Sequence, residues 1–161
     1  MKKEMLAANQ MVENIEHIHS GLAQAIVHYQ KAITACDLKK NPSLHKCKAR
    51  IFNNLGLAYL RLASVCDERV NILRAIEAYE EALAIRTKES HLLKYLMLQK
   101  SLGDSYYALA RIEHTLAYLS RASRYYQHFF EIEKRIGDYG YLRNVIEDAK
   151  TKFSEVQYCL E

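Results

Sequence analysis

The chain has 161 residues, half of them apolar, with one proline, five glycines and a formal charge of +4. That length suits one domain with a proper core, and so few turn residues exclude a many-stranded sheet protein. The charge is mild and spread along the chain, so it does not by itself announce a nucleic-acid partner.

Apolar periodicity predicts a first amphipathic helix over 3–19, with Met5, Ala8, Val12, Ile15 and His19 on one face and Ser20-Gly21 as its break. A second helix over 22–37 runs through Leu22, Ala25, Ile26, Tyr29, Ala32, Ile33 and Cys36. Leu38-Lys-Lys-Asn-Pro-Ser43 is the clearest loop, with Asn41 suited to an N-cap and Pro42 to the first helical position. A third helix runs from there to about Ala63. Val65-Cys-Asp-Glu-Arg69 turns into a fourth, capped by Asp67 and reaching about Arg86. Ser90 is the expected cap of a fifth helix, which runs from about His91 to Arg111. A joint over 111–114, without Gly or Pro, leads into a sixth that ends near Arg135. Ile136-Gly-Asp-Tyr-Gly140 sets off the last helix, whose stripe is Leu142, Val145, Ile146, Ala149, Phe153, Val156 and Leu160.

Two stretches in the middle repeat. Phe52-Asn-Asn-Leu-Gly-Leu-Ala-Tyr59 is followed by Ala75-Ile-Glu-Ala-Tyr-Glu-Glu-Ala-Leu83, and the same signs recur 47 positions on. Leu55, Gly56 and Tyr59 become Leu102, Gly103 and Tyr106; Ala75 and Tyr79 become Ala122 and Tyr126. Small residues suit close helix crossings, so Gly56, Ala75 and Ala82 fit there, while Tyr59 and Tyr79 fill wider gaps. Two departures accompany the match: Gln99 stands where Phe52 stands, and Phe129 where Ala82 stands. Ala25, Tyr29 and Ala32 copy the second half of the pattern alone.

These residues resemble the tetratricopeptide repeat, and most of all its long-period prokaryotic arrays, through Leu62-Ala63, Asp67, Asn71, Ala75-Ile76 and Tyr79. The usual repeat is about 34 residues and closes on a proline that both units here lack. The resemblance is firm over 49–133. It implies an all-α, right-handed superhelix of antiparallel hairpins in one domain. A degenerate first hairpin is expected over 1–38, then hairpins over 42–87 and 90–135, and a capping helix over 139–160. The last helix could instead pair with a second copy to make a homodimer.

The resemblance also implies a concave groove, lined by the first helix of each pair, that holds a peptide or protein segment. By register its residues are Arg50, Asn53, Leu57, Leu60 and Arg61 in one unit and Met97, Lys100, Asp104, Tyr107 and Ala108 in the next. The family's carboxylate clamp is not reproduced, because Leu57 and Asp104 stand where its asparagine would be. Lys39, Lys40, His45, Lys46, Lys48 and Arg50 form the densest basic run. Basic residues at a helix start oppose the macrodipole, so helix stability does not account for them. A nucleic acid or another anionic partner could use the run, although the interleaved aromatics a single-strand binder needs are missing apart from Phe52.

No phosphate loop, nucleophile elbow or His-Glu-x-x-His is present, so no enzyme activity and no cofactor is expected. Glu77, Glu80 and Glu81 read as a solvated face. His17, His19 and His28, and Cys36, His45 and Cys47, have ligand types for zinc but no recognised spacing, and no metal is expected. The four cysteines lack a Cys-x-x-Cys pair and read as free thiols in a reducing compartment. No run approaches the ~20 apolar residues of a membrane span, and Met1–Gln10 lacks a signal peptide's apolar core. The expected setting is cytoplasmic. The expected role is a protein-interaction module, with a self-associating scaffold and an anion binder as alternatives.

Overall fold

A computed structural model describes residues 2–36, 44–87, 91–136 and 140–161, the side chains of 2–9 excepted. It is all-helical over these residues. The elements are α1 (Lys2–Ala35), α2 (His45–Ala63), α3 (Glu68–Ile85), α4 (Leu92–Glu113), α5 (Leu116–Ile136), a 3-10 turn (Gly140–Leu142) and α6 (Arg143–Leu160). α2 packs chiefly on α3 and α4 on α5, while α1 lies on α2 and α6 lies on α5 and α4.

The hairpin expected over 1–38 is not formed. α1 is one helix of 34 residues and passes through Ser20 and Gly21 without a break. A lone helical Gly costs only ~1 kcal/mol relative to Ala, too little to stop a helix with good formers on both sides. At ~1.5 Å per residue α1 extends about 51 Å and the 19-residue α2 about 28 Å. α2 therefore covers little more than half of α1. Ile26 is buried and Leu22, Tyr29 and Ile33 pack against the core, whereas every residue from 10 to 20 is exposed.

The two central hairpins carry the same contacts at the same positions. Gly56 on α2 lies under the Tyr79 ring of α3, and Gly103 on α4 under the Tyr126 ring of α5. A Cβ on Gly56 would sit 2.7 Å from Tyr79 Cε1, and one on Gly103 would sit 2.9 Å from Tyr126 Cε1. Only a residue without a side chain lets each ring approach the opposite helix this closely. Arg74 stands over the Tyr59 ring at 5.8 Å, and its counterpart Arg121 over Tyr106 at 5.4 Å. Ala75, Ala82 and Ala122 are fully buried, as the close crossings require. At the two departures, Phe52 is half-buried and Ala82 fully buried in the first hairpin, while Gln99 and Phe129 are both buried in the second.

Tyr106 ties three helices together. Its hydroxyl donates to Glu80 Oε1 on α3 at 2.9 Å and accepts from Arg121 Nη1 on α5 at 3.1 Å, and its ring stacks on Tyr125. Burial, reinforced by the hydrogen bond to Glu80, pushes this phenol up to about 12.

The turns differ from the expected chemistry. Asp67 precedes α3 in the left-handed conformation and its side chain makes no capping bond. The buried Asn71 holds that turn instead, its Nδ2 donating to the Cys66 carbonyl at 2.8 Å. The joint after α4 is made by His114 at φ 52°, a conformation His tolerates better than most residues. The expected caps Asn41 and Ser90, and Pro42, lie outside the described residues.

α6 continues the register by a further 47 positions. Ala149 and Phe153 stand where Leu102 and Tyr106 stand. Ala149 and Val156 are fully buried, and Phe153 packs on Tyr126 and Phe130. Lys150 takes the glycine position and is exposed. No described helix lies over it, so no ring demands a bare backbone there. The apolar stripe expected either to cap the array or to meet a second copy is therefore used within the chain.

Candidate functional site

The groove residues fall into two groups with different fates. On α2, Arg50 and Arg61 are exposed, Asn53 and Leu60 half-buried, and Leu57 is 43% exposed. Spacings of three and four residues line up Arg50, Asn53, Leu57 and Arg61 on one face. Neither arginine has an ion-pair partner among the described residues.

On α4 the corresponding residues are engaged by α6. Lys100, expected as a donor to a partner, is buried. Its Nζ lies 2.6 Å from Asp104 Oδ2 and 2.5 Å from Asp148 Oδ2. Lys152 reaches the same two carboxylates, at 3.3 Å from Asp104 Oδ1 and 2.9 Å from Asp148 Oδ2. The Tyr126 hydroxyl donates to Asp104 Oδ1 at 2.7 Å, and the Tyr107 hydroxyl donates to Glu155. Met97 is half-buried beside this network, on the rim of a cleft with Ser101, Asn144 and Val145.

The network is electrically balanced, and its titration behaviour follows. Partial burial pushes the Asp148 carboxyl up, but hydrogen bonds from Lys100 and Lys152 and their charges outweigh it and hold the carboxyl below its usual range. Burial pushes the Lys152 ammonium down, but the Asp104 charge and contacts to Asp148 hold it above its ordinary value. Burial, the Asp104 charge and the hydrogen bond to Asp104 all raise the Tyr126 phenol. This is the chemistry of a fastener between helices, with each charge answered from within the chain.

The basic run divides as well. Lys39 and Lys40 lie outside the described residues, and Lys48 sits over the Phe52 ring at 5.8 Å. His45, Lys46 and Arg50 instead line a concave pocket of about 400 Å³ with Ile85 and Arg86 from the end of α3 and His91 and Lys94 from the start of α4. Arg86, His91 and Lys94 are not marked by any motif. Their signal is that α2 and α4 begin at the same end of the array, as two first helices of successive hairpins must.

Among the described residues no three His, Cys, Asp or Glu side chains converge as metal ligands, and Cys36, Cys47, Cys66 and Cys159 are free thiols. No described helix is long and apolar enough to cross a membrane. Compared with protein-family models, with curated proteins and with solved structures, the chain matches none of them.

Proposed function

We propose that the chain is a non-enzymatic protein-interaction module of tetratricopeptide type, a right-handed superhelix of hairpins closed by α6. Its ligand is a short acidic peptide segment held along the open face of α2. The observation that carries this reading is the exposed Leu57 between two arginines without ion-pair partners among the described residues, Arg50 and Arg61. These arginines stand 11 residues apart on α2, about 16 Å at ~1.5 Å per residue, which an extended segment of about five residues spans. A segment with one apolar side chain between two carboxylates would seat the first on Leu57 and pair the others with Arg50 and Arg61. The α4 face offers no such opening, because Lys100, Asp104 and Tyr107 are already bonded to α6 or to one another.

The test is fluorescence anisotropy with pentapeptides bearing Leu or Phe between terminal glutamates. Charge-assisted hydrogen bonds contribute roughly 1.5–3 kcal/mol each when shielded, so Arg50→Ala with Arg61→Ala should weaken binding at least about tenfold. Leu57→Ser should weaken it too, and Lys150→Ala on the outer face of α6 should leave it unchanged. Binding indifferent to Arg61 and Leu57, or no binding by any peptide of the panel, ends this reading.

Self-association is favoured by a separate observation. Met11, Val12, Ile15 and Ile18 on α1 are large apolar side chains exposed to solvent. Val12 and Ile15 continue the stripe of alternating three- and four-residue steps through which Leu22, Ile26, Tyr29 and Ile33 meet the core. Two copies pairing antiparallel through this segment would cover it. Sedimentation equilibrium of the parent and of a Val12→Glu, Ile15→Lys variant decides the matter, since a parent that is monomeric throughout excludes such pairing.

A further inference from the structure

The pocket between the starts of α2 and α4 is lined by four permanent cations, Lys46, Arg50, Arg86 and Lys94, and by His45 and His91. No carboxylate is among its described lining residues. Arg86 is the informative member. It is 8% exposed, lines the pocket, and has no hydrogen bond or ion pair from its guanidinium among the described residues. A guanidinium cannot shed its proton in a protein, so a buried one without a counter-charge is costly to keep. Arg50 makes it costlier still: burial first, and then the Arg50 charge, push the Arg86 pKa below its ordinary value.

The backbone adds positive potential at the same place. α2 begins after Leu44 and α4 after His91, and neither helix has a side-chain capping bond. Neither N-cap side chain accepts from the first amides, and both helices start beside residues that line the pocket, so the positive ends of two helix dipoles add to its potential. Basic residues here oppose those dipoles, an arrangement that an anion bound between them would reverse. The remaining lining is apolar, from Cys47, Ala49 and Ile85. A volume of about 400 Å³ exceeds what one phosphate needs and falls within the range of small-molecule sites.

We propose that this pocket binds a small phosphorylated molecule. Its phosphate or diphosphate group is gripped by Arg86 and Arg50, whose planar forks match phosphate oxygens in pairs, while Lys46 and Lys94 neutralise the remaining charge. The organic part lies over Ile85 and Ala49. The site shares Arg50 with the α2 face but does not depend on any peptide binding there. A long polyanion fits it less well, since no Phe, Tyr or Trp lines the pocket to stack a base.

The experiment is calorimetric titration and thermal melting of the full chain in a phosphate-free, low-salt buffer. The probes are inorganic phosphate, pyrophosphate, sulfate and chloride at matched ionic strength, and a mixed-sequence 12-nucleotide single strand. Pyrophosphate should bind more tightly than phosphate, and both more tightly than sulfate, with a raised melting temperature. Arg86→Met should weaken pyrophosphate binding at least about tenfold, yet melt no lower than the parent without anion, because it removes an unpaired buried charge. Lys46→Gln with Lys94→Gln changes only exposed residues and should weaken binding to a similar degree, which keeps the test alive if Arg86→Met fails to fold. Three results would overturn the proposal. One is a stabilisation equal for chloride, sulfate and pyrophosphate, or unchanged in the Lys46/Lys94 variant. Another is an Arg86→Met protein that folds but melts several degrees lower in anion-free buffer, which would make Arg86 a structural ion-pair member. The third is Arg86-dependent binding of the oligonucleotide that is tighter than that of pyrophosphate.

Discussion

Substituting alanine at three helical glycines should give opposite signs, and the structure supplies the size of each effect. Alanine in place of glycine stabilises a helix by ~1 kcal/mol when nothing else changes. At Gly21 nothing lies within 4 Å of the added Cβ, so Gly21→Ala should realise that gain. For a chain of this length ~1 kcal/mol corresponds to a rise of about 2–4 °C in melting temperature. At Gly56 the same Cβ would stand 2.7, 2.8 and 2.9 Å from three atoms of the Tyr79 ring, so something must move. Tyr79 is 2% exposed and has no room to swing aside. Overpacking of this kind costs roughly 1–3 kcal/mol, so after the helix gain Gly56→Ala should lose up to about 2 kcal/mol. Gly103→Ala meets the Tyr126 ring at 2.9, 3.0 and 3.1 Å and should lose less. Differential scanning calorimetry of the three variants measures the order. In a double-mutant cycle, Tyr79→Leu should recover part of the Gly56→Ala loss, with a coupling of ~0.5–3 kcal/mol. If Gly56→Ala raises the melting temperature as Gly21→Ala does, the crossing is not what selects glycine.

Two further predictions follow the titration of Asp148 and of two buried phenols. The Asp148 carboxyl is held below its usual range, so its contribution to stability is present above the unfolded value near 4 and is lost as pH falls through the lower folded value. The difference in melting temperature between the parent and Asp148→Asn should therefore be present at neutral pH and vanish in acid; a difference independent of pH would show that the carboxylate charge is not what fastens α6. Burial raises the Tyr79 and Tyr106 phenols to about 12, so their contribution is complete below the unfolded value near 10 and disappears as pH climbs from there towards the folded value. Ultraviolet absorbance followed alongside circular dichroism should show their ionisation coinciding with alkaline unfolding, and free ionisation near pH 10 in a folded chain would refute their burial.

The hairpins were legible because their signal is local and paired. Gly56 with Tyr79, and Gly103 with Tyr126, each put a missing side chain opposite a large one at a fixed separation. Their recurrence 47 positions on makes coincidence a poor account. Residues whose role depends on distant partners were not legible. Lys100 and Asp104 could be read as a pair one helical turn apart, but nothing local says that Asp148 and Lys152 complete them. Arg86 reads as an ordinary surface cation at a helix end until α2 and α4 are seen to begin beside it. Ser20-Gly21 misled in the other direction, since residue type alone suggests a break and no neighbouring helix is there to force one.

α1 and α6 expose different faces, and that difference bears on where the chain meets other molecules. On α6, Glu147, Lys150, Thr151 and Ser154 leave a polar outer face, and Lys150 stands where the glycine of the two hairpins stands. α1 differs, because its exposed stretch presents Met11, Val12, Ile15 and Ile18, of which Val12 and Ile15 stand in the register that elsewhere meets the core. The fastening charges are also concentrated at the α6 end, where Lys100, Asp104, Asp148 and Lys152 neutralise one another. On α2 and at the end of α3, Arg50, Arg61 and Arg86 are left without ion-pair partners among the described residues. Cohesion and unanswered charge thus lie on different helices. A partner should engage α1, α2 and the pocket at the start of α4, and substitutions on the outer face of α6 should leave every binding measurement unchanged.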